Sequence, residues 1–202
     1  MTLKEYFAWF KRDWAKAGFL ISIFLFVFLF ALVKDTDFVL FLLLLQTPLY
    51  LLHETEEYVF PGGFGKFFNM DIMKFETEDK PLDEDFVFYL NIILIWIILP
   101  VFGLLAAKNY DYGLWLPYFS FFAGLSHIGL GIKARKRYNA GLVVSLLLNI
   151  PVGAWSVLYL VDQGFLPNIF LNPHFFIGLG LNLALPVIGL VKYKKHLRTL
   201  NV

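Results

Sequence analysis

FVLFLLLLQTPLYLLHETEE, residues 38–57, decides the fold of this chain. Its apolar part runs only from Phe38 to Leu52, about 22 Å of helix at a rise of roughly 1.5 Å per residue. A hydrocarbon core of about 30 Å asks for about 20 residues. The helix therefore finishes its crossing only by continuing through His53-Glu54-Thr55-Glu56-Glu57 and stopping near Pro61. That places a histidine and carboxylates at the membrane edge, partly within it.

Outward from this stretch the chain reads as membrane protein throughout. Of its 202 residues 59% are hydrophobic and 16% charged, against about 45–50% and about 25% in soluble domains. Five further apolar stretches flank it: residues 18–33, 86–107, 114–132, 140–161 and 174–191. None alternates with period two, which argues against a membrane β-barrel. The expected architecture is all-α, a single compact six-helix transmembrane bundle with short antiparallel connections. A net charge of +1 lacks the basic excess of a nucleic-acid binder. The absence of cysteine removes disulfides, thiolate metal sites and cysteine nucleophiles.

Charge placement predicts the orientation. With six crossings and an inner N-terminus, every one of the 17 Lys and Arg except Lys34 and Lys108 falls on the inner side. The inner clusters are Lys4–Lys16, Lys66–Lys80, Lys133–Arg137 and Lys192–Arg198. The positive-inside rule then puts both termini in the cytoplasm. The long inner loop, residues 58–85, opens on Pro61-Gly62-Gly63 and continues through Phe64–Phe75, whose mixed apolar and charged pattern reads as interfacial. Its acidic end, Glu76 to Asp85, reads as a solvated connector.

On a helix, positions i+3 and i+4 flank position i, so His53, Glu56 and Glu57 share one face while Glu54 points elsewhere. Ionisable groups at membrane depth are functional candidates, and a partner at the same depth elsewhere strengthens the case. His127 lies six residues before Lys133 on the fourth span, roughly 9 Å inside the boundary. Asn91 on the third span is at a similar height, and Asn149 on the fifth lies deeper. Four helices are thus expected to deliver polar side chains to one cavity in the inner half. His174 and His196 read as interfacial.

At these residues the sequence resembles the HXXEE family of small integral membrane proteins, whose motif is met as His53-Glu54-Thr55-Glu56-Glu57. The continuation Tyr58-Val59-Phe60-Pro61-Gly62-Gly63-Phe64 is similar to the family's aromatic–Pro–Gly–Gly stretch. A later NxxxH motif followed by a basic-Tyr-x-Pro-Gly turn corresponds to Ala123–His127 and Arg137-Tyr138-Asn139-Ala140-Gly141. Ala123 stands where the family has Asn, and Ala140 where it has Pro. Asn149 and Asn91 are the candidates for the missing amide. The resemblance implies that His53, Glu56, Glu57 and His127 belong to one site; it implies no reaction.

The residue types point first to a membrane-embedded, metal-dependent enzyme. His53, His127 and one or both of Glu56 and Glu57 are the expected ligands of a divalent metal, Zn²⁺ before others. A remaining Glu is the expected general base, with Asn91 and Asn149 as assisting polar groups. A hydrolase acting on an amphipathic or lipid-like substrate from the inner leaflet fits best, with the bilayer as the other partner. Two alternatives stay open. One is a proton- or ion-coupled transporter using His53 and Glu57, for which pathways to both sides are required. The other is a non-catalytic binding or scaffold protein.

Overall fold

The computed structural model describes residues 1–200, which contain no strand. Seven helices follow one another: α1 Leu3–Val33, α2 Phe38–Tyr58, α3 over 64–72, α4 Glu84–Leu105, α5 Leu116–Ala134, α6 Leu142–Asp162 and α7 Pro173–Leu200. Five of them, α1, α2, α4, α6 and α7, are long and apolar enough to cross a bilayer. Where a sixth span is expected stands α5, a helix of 19 residues. It is less apolar than the other five because Tyr118, Ser120, Ser126 and His127 interrupt it.

The burial pattern explains that difference. α5 packs against α2, α6 and α7, so its surroundings are protein rather than lipid, and polar atoms find partners there. Close approach is enabled by Gly124, where a Cβ would lie 2.6 Å from Ile150 Cγ1. Small residues at such crossings let helix backbones come together in a membrane. α1 shows the opposite pattern. Leu20, Phe24, Val27 and Leu32 are exposed along it, as expected for a lipid-facing helix, and only Trp14, Ala15, Gly18 and Ser22 are buried in its α-helical part.

Helix ends follow local chemistry more than hydropathy. α1 begins well before the expected residue 18, because Thr2 and Glu5 form a reciprocal capping box: the Glu5 N–H donates to Thr2 Oγ1 and the Thr2 N–H to Glu5 Oε2. Asp37 and Asp83 cap α2 and α4 one-sidedly, accepting from the N–H groups of Leu40 and Phe86 at 2.9 and 2.8 Å. Pro100 and Pro151 each follow a wide, π-type stretch, Ile92–Ile98 and Ser145–Asn149. A proline offers no N–H to the preceding turn, so the ladder there opens.

The inner loop is more ordered than its composition suggests. Residues 64–72 form a short helix, and Asn69 at its centre is fully buried. Its amide donates to the carbonyls of Glu78 and Leu82 at 2.8 and 3.1 Å and accepts from the Leu82 N–H at 3.0 Å. This clip folds part of the acidic connector back onto α3, where Phe67, Phe68, Ile72 and Leu82 form a small apolar cluster. The expected solvated connector is thus pinned at its centre by one asparagine.

Candidate metal centre

α2 ends as the sequence requires, with its polar turn still helical through Tyr58. All of His53, Glu54, Glu56 and Glu57 are buried, yet they face three different neighbours. Glu57 turns towards α5: its Oε1 lies 3.3 Å from His127 Nε2 and 3.6 Å from His53 Nε2. The two imidazole rings meet edge to face, with centroids 4.6 Å apart. One ligand atom from each of His53, Glu57 and His127 lies within 4.8 Å of the others. This buried cluster can hold a metal ion.

The other nitrogen of each ring is accounted for. Asn139 gives its N–H to the His127 backbone carbonyl at 3.0 Å, which fixes the amide so that Oδ1 faces His127 Nδ1 at 2.7 Å. His127 then carries its proton on Nδ1. Ser145 donates its hydroxyl to the Gly141 carbonyl at 2.6 Å, leaving its oxygen to accept from His53 Nδ1 at 3.4 Å. These assignments follow from the hydrogen-bond network. With Nδ1 of each ring engaged elsewhere, both Nε2 atoms face the same carboxylate oxygen, an arrangement that a proton or a metal ion between them satisfies. Partners on the outer nitrogen that fix tautomer and ring plane are the rule around ligating histidines.

Glu56 does something else. Its Oε1 accepts from the Tyr138 hydroxyl at 3.0 Å and the Val143 N–H at 3.1 Å, and its Oε2 accepts from the Val144 N–H at 2.7 Å. The carboxylate therefore sits on the first N–H groups of α6, where a helix has unpaired donors and a positive dipole end. Burial, together with the Glu56 carboxylate, pushes the Tyr138 hydroxyl up to about 12, so it remains a donor. Glu56, expected as a ligand or base, stands outside the three-residue cluster, with both of its oxygens engaged away from it. Glu54 packs on the far side of α2 and accepts from Trp96 Nε1 at 3.1 Å.

Two turns complete the surroundings. Pro61-Gly62-Gly63 reverses the chain with φ of +75° and +93° at the glycines and brings Phe64 to 5.3 Å from the His127 ring. The turn before α6 presents Gly141, at φ +98°, directly against both imidazoles.

Asn91 and Asn149 do not join the cluster, and the single four-helix polar cavity resolves into separate places. Asn149 donates to Ser120 Oγ at 3.0 Å within the α5–α6 contact. Asn91 donates to the Val87 carbonyl at 2.8 Å and lies 3.5 Å from the Tyr58 hydroxyl. It lines a cavity of about 300 Å³ that also reaches Glu57 and His127, with Phe68, Phe86 and Leu130 among its apolar walls. The amide expected beside His127 comes from Asn139, which the sequence places in a turn outside the spans. Its one legible signal is the motif stretch Arg137–Gly141, in which it stands between the tyrosine and Ala140. Ala123, one turn before His127, lines the cavity instead.

A family model described as a protein of unknown function with HXXEE motif matches residues 44–156, just over half of the chain. The chain belongs to the HXXEE family. No curated protein and no solved structure matches it. In this member the motif letters divide by role: His53 and Glu57 belong to the cluster and Glu56 anchors the neighbouring helix. The match ends within α6, so it takes in both histidines of the cluster and Asn139.

Asn139→Ala is expected to weaken metal binding about 10–100-fold, the usual cost of removing such an outer partner. Competition with a chelating dye measures it. An unchanged affinity would mean that Asn139 only braces the turn.

Proposed function

We propose that this protein is a membrane-embedded, metal-dependent enzyme, a hydrolase whose substrate is lipid-like. The observation that carries the reading is the convergence of His53 Nε2 and His127 Nε2 on Glu57 Oε1, each ring held by a partner on Nδ1. Two imidazoles and a carboxylate suit Zn²⁺, and three protein ligands leave a position open for water or substrate. A bound divalent ion supplies Lewis acidity and a water that ionises near neutrality. Glu57 Oε1 is the oxygen turned to the imidazoles, which leaves Oε2 to take a proton. That replaces the second glutamate expected as general base.

The cavity beside the cluster supports the substrate class. Its walls are mainly apolar and aromatic, as in small-molecule sites generally, and it is framed by helices of a membrane bundle. The basic clusters support an orientation with both termini inside, which sets the cluster at the inner leaflet. Transport finds less support. Above Gln46, α2 offers Phe41, Leu42 and Leu43, all buried, and α6 offers Val157 and Leu160. Among the described residues, the buried polar side chains of this outer half are few and paired with each other: Ser156 accepts from Gln46, and Asn172 donates to the Tyr118 hydroxyl.

Elemental analysis of the purified protein tests the reading. About one Zn²⁺ per chain is expected, falling to background in His53→Ala and His127→Ala. A ligand at 100 times its Kd stabilises by about 2.7 kcal/mol, so chelation is expected to lower Tm by roughly 5–10 °C. Protein without metal, and with a Tm indifferent to chelator and to added Zn²⁺, would overturn it.

A further inference from the structure

The cavity carries a second kind of information, in how its polar wall is wired. Asn182 on α7 lines it. Both N–H groups of this amide are directed into the protein, to the Phe119 carbonyl at 3.0 Å and the Gly178 carbonyl at 2.9 Å. Asn91 is held similarly, with its NH₂ towards the Val87 carbonyl and the Tyr58 hydroxyl. Neither amide can turn over without setting an oxygen against a carbonyl. In each case the side-chain carbonyl is the end left over, and neither Oδ1 has a hydrogen-bond partner among the described residues. The cavity wall therefore presents two fixed acceptors, together with the Glu57 carboxylate and the Tyr50 hydroxyl. Its one cation is Lys133, exposed on the solvent side of α5.

We infer that the cavity recognises a neutral, single-chain amphiphile bearing hydroxyl or amide N–H donors close to its polar end, in preference to an anionic headgroup or a donor-free ester. The physical reason is complementarity. The two Oδ1 atoms have no protein donor and open onto the cavity, so a ligand that displaces water from them must supply donors, and a site built this way discriminates against analogues lacking them. An anionic headgroup would instead bring its own acceptors against the two amide carbonyls. A volume of about 300 Å³ lies at the lower end of the usual ligand-site range of about 300–1,000 Å³, which suits the polar end and part of one chain rather than a whole diacyl lipid. The inference rests on reading this cavity as the substrate site of the proposed enzyme. It does not require that metal be bound.

The test uses the full chain in phosphatidylcholine nanodiscs, whose headgroups carry no hydroxyl or N–H donors. Saturable binding of four radiolabelled probes is compared after subtraction of empty discs: monolauroylglycerol, N-lauroylethanolamine, lauryl acetate and lauryl phosphate. The first two are expected to bind at least about tenfold more tightly than the last two, the factor worth one hydrogen bond. Asn182→Leu is expected to erase most of that preference while leaving lauryl acetate unchanged. Should Asn182→Leu fail to fold, the comparison among probes on the unmodified protein decides alone. Equal binding of alcohol and acetate, tighter binding of the phosphate, or no saturable binding of any probe would overturn the inference. Metal content is read on the same samples. Donor preference without metal or turnover would sustain the inference and sink the enzyme reading, and bound Zn²⁺ without donor preference would do the reverse.

Discussion

Gly141→Ala is expected to be the most damaging single-methyl change in the protein. At φ +98° the added Cβ would lie 2.5 Å from His127 Cε1, 2.9 Å from His127 Nδ1 and 2.9 Å from His53 Cε1. Left-handed backbone costs a non-glycine residue roughly 1–2 kcal/mol, and overpacking a filled interior costs about 1–3 kcal/mol more. The neighbours cannot yield cheaply, because His127 is tied to Asn139 and both rings face one carboxylate. A loss of about 2–5 kcal/mol is expected, read as a Tm lower by roughly 5–20 °C. Metal binding is expected to fall with it, because the rings must separate or tilt. Thermal unfolding with and without Zn²⁺ measures both effects. A variant with unchanged Tm and full metal content would show that this turn does not touch the rings.

The second large effect separates the two adjacent glutamates. Glu57→Gln keeps the size of the side chain but removes the charge on which both Nε2 atoms converge. Metal affinity is expected to fall more than about 100-fold, beyond what loss of an outer partner alone costs. Glu56→Gln is expected to bind close to one metal per chain and to be destabilised. It sets an amide NH₂ against one of the N–H groups of Val143 and Val144 that the carboxylate now satisfies. Hydrogen bonds to a charged acceptor are worth about 1.5–3 kcal/mol each, so a loss of about 2–4 kcal/mol, or roughly 5–15 °C in Tm, is expected. Elemental analysis and thermal unfolding on the pair give a crossed result. Should Glu56→Gln lose its metal while keeping its Tm, the division of roles argued from the structure is wrong.

Much of this protein is legible in its amino-acid sequence. Hydropathy places the helices because a bilayer demands about 20 apolar residues per crossing, and the shortage after Leu52 exposes the polar turn of α2. Depth counted from the flanking charges brings His53 and His127 to one level. Other features resist that kind of reading. A helical wheel puts His53, Glu56 and Glu57 on one face, but a face is broad enough to meet two neighbours. Glu57 meets α5 while Glu56 meets the start of α6. Asn139 escapes any search for polar residues within spans, because its turn folds back beneath the bundle end.

The sequence by itself determined that the chain is helical with segments long and apolar enough to cross a membrane, that α2 ends in ionisable residues, and that a second histidine lies at a matching height. Those are one-dimensional facts, set by the length and composition of segments against the thickness of a bilayer. Only the tertiary structure decided which carboxylate faces the imidazoles, which amide holds His127, and which way the amides of the cavity wall present their oxygens. Each of those depends on directional contacts between residues far apart in the chain, such as Glu57 with His127 and Asn182 with Phe119. Spacing along a helix fixes height and face; hydrogen-bond geometry across helices assigns the chemistry.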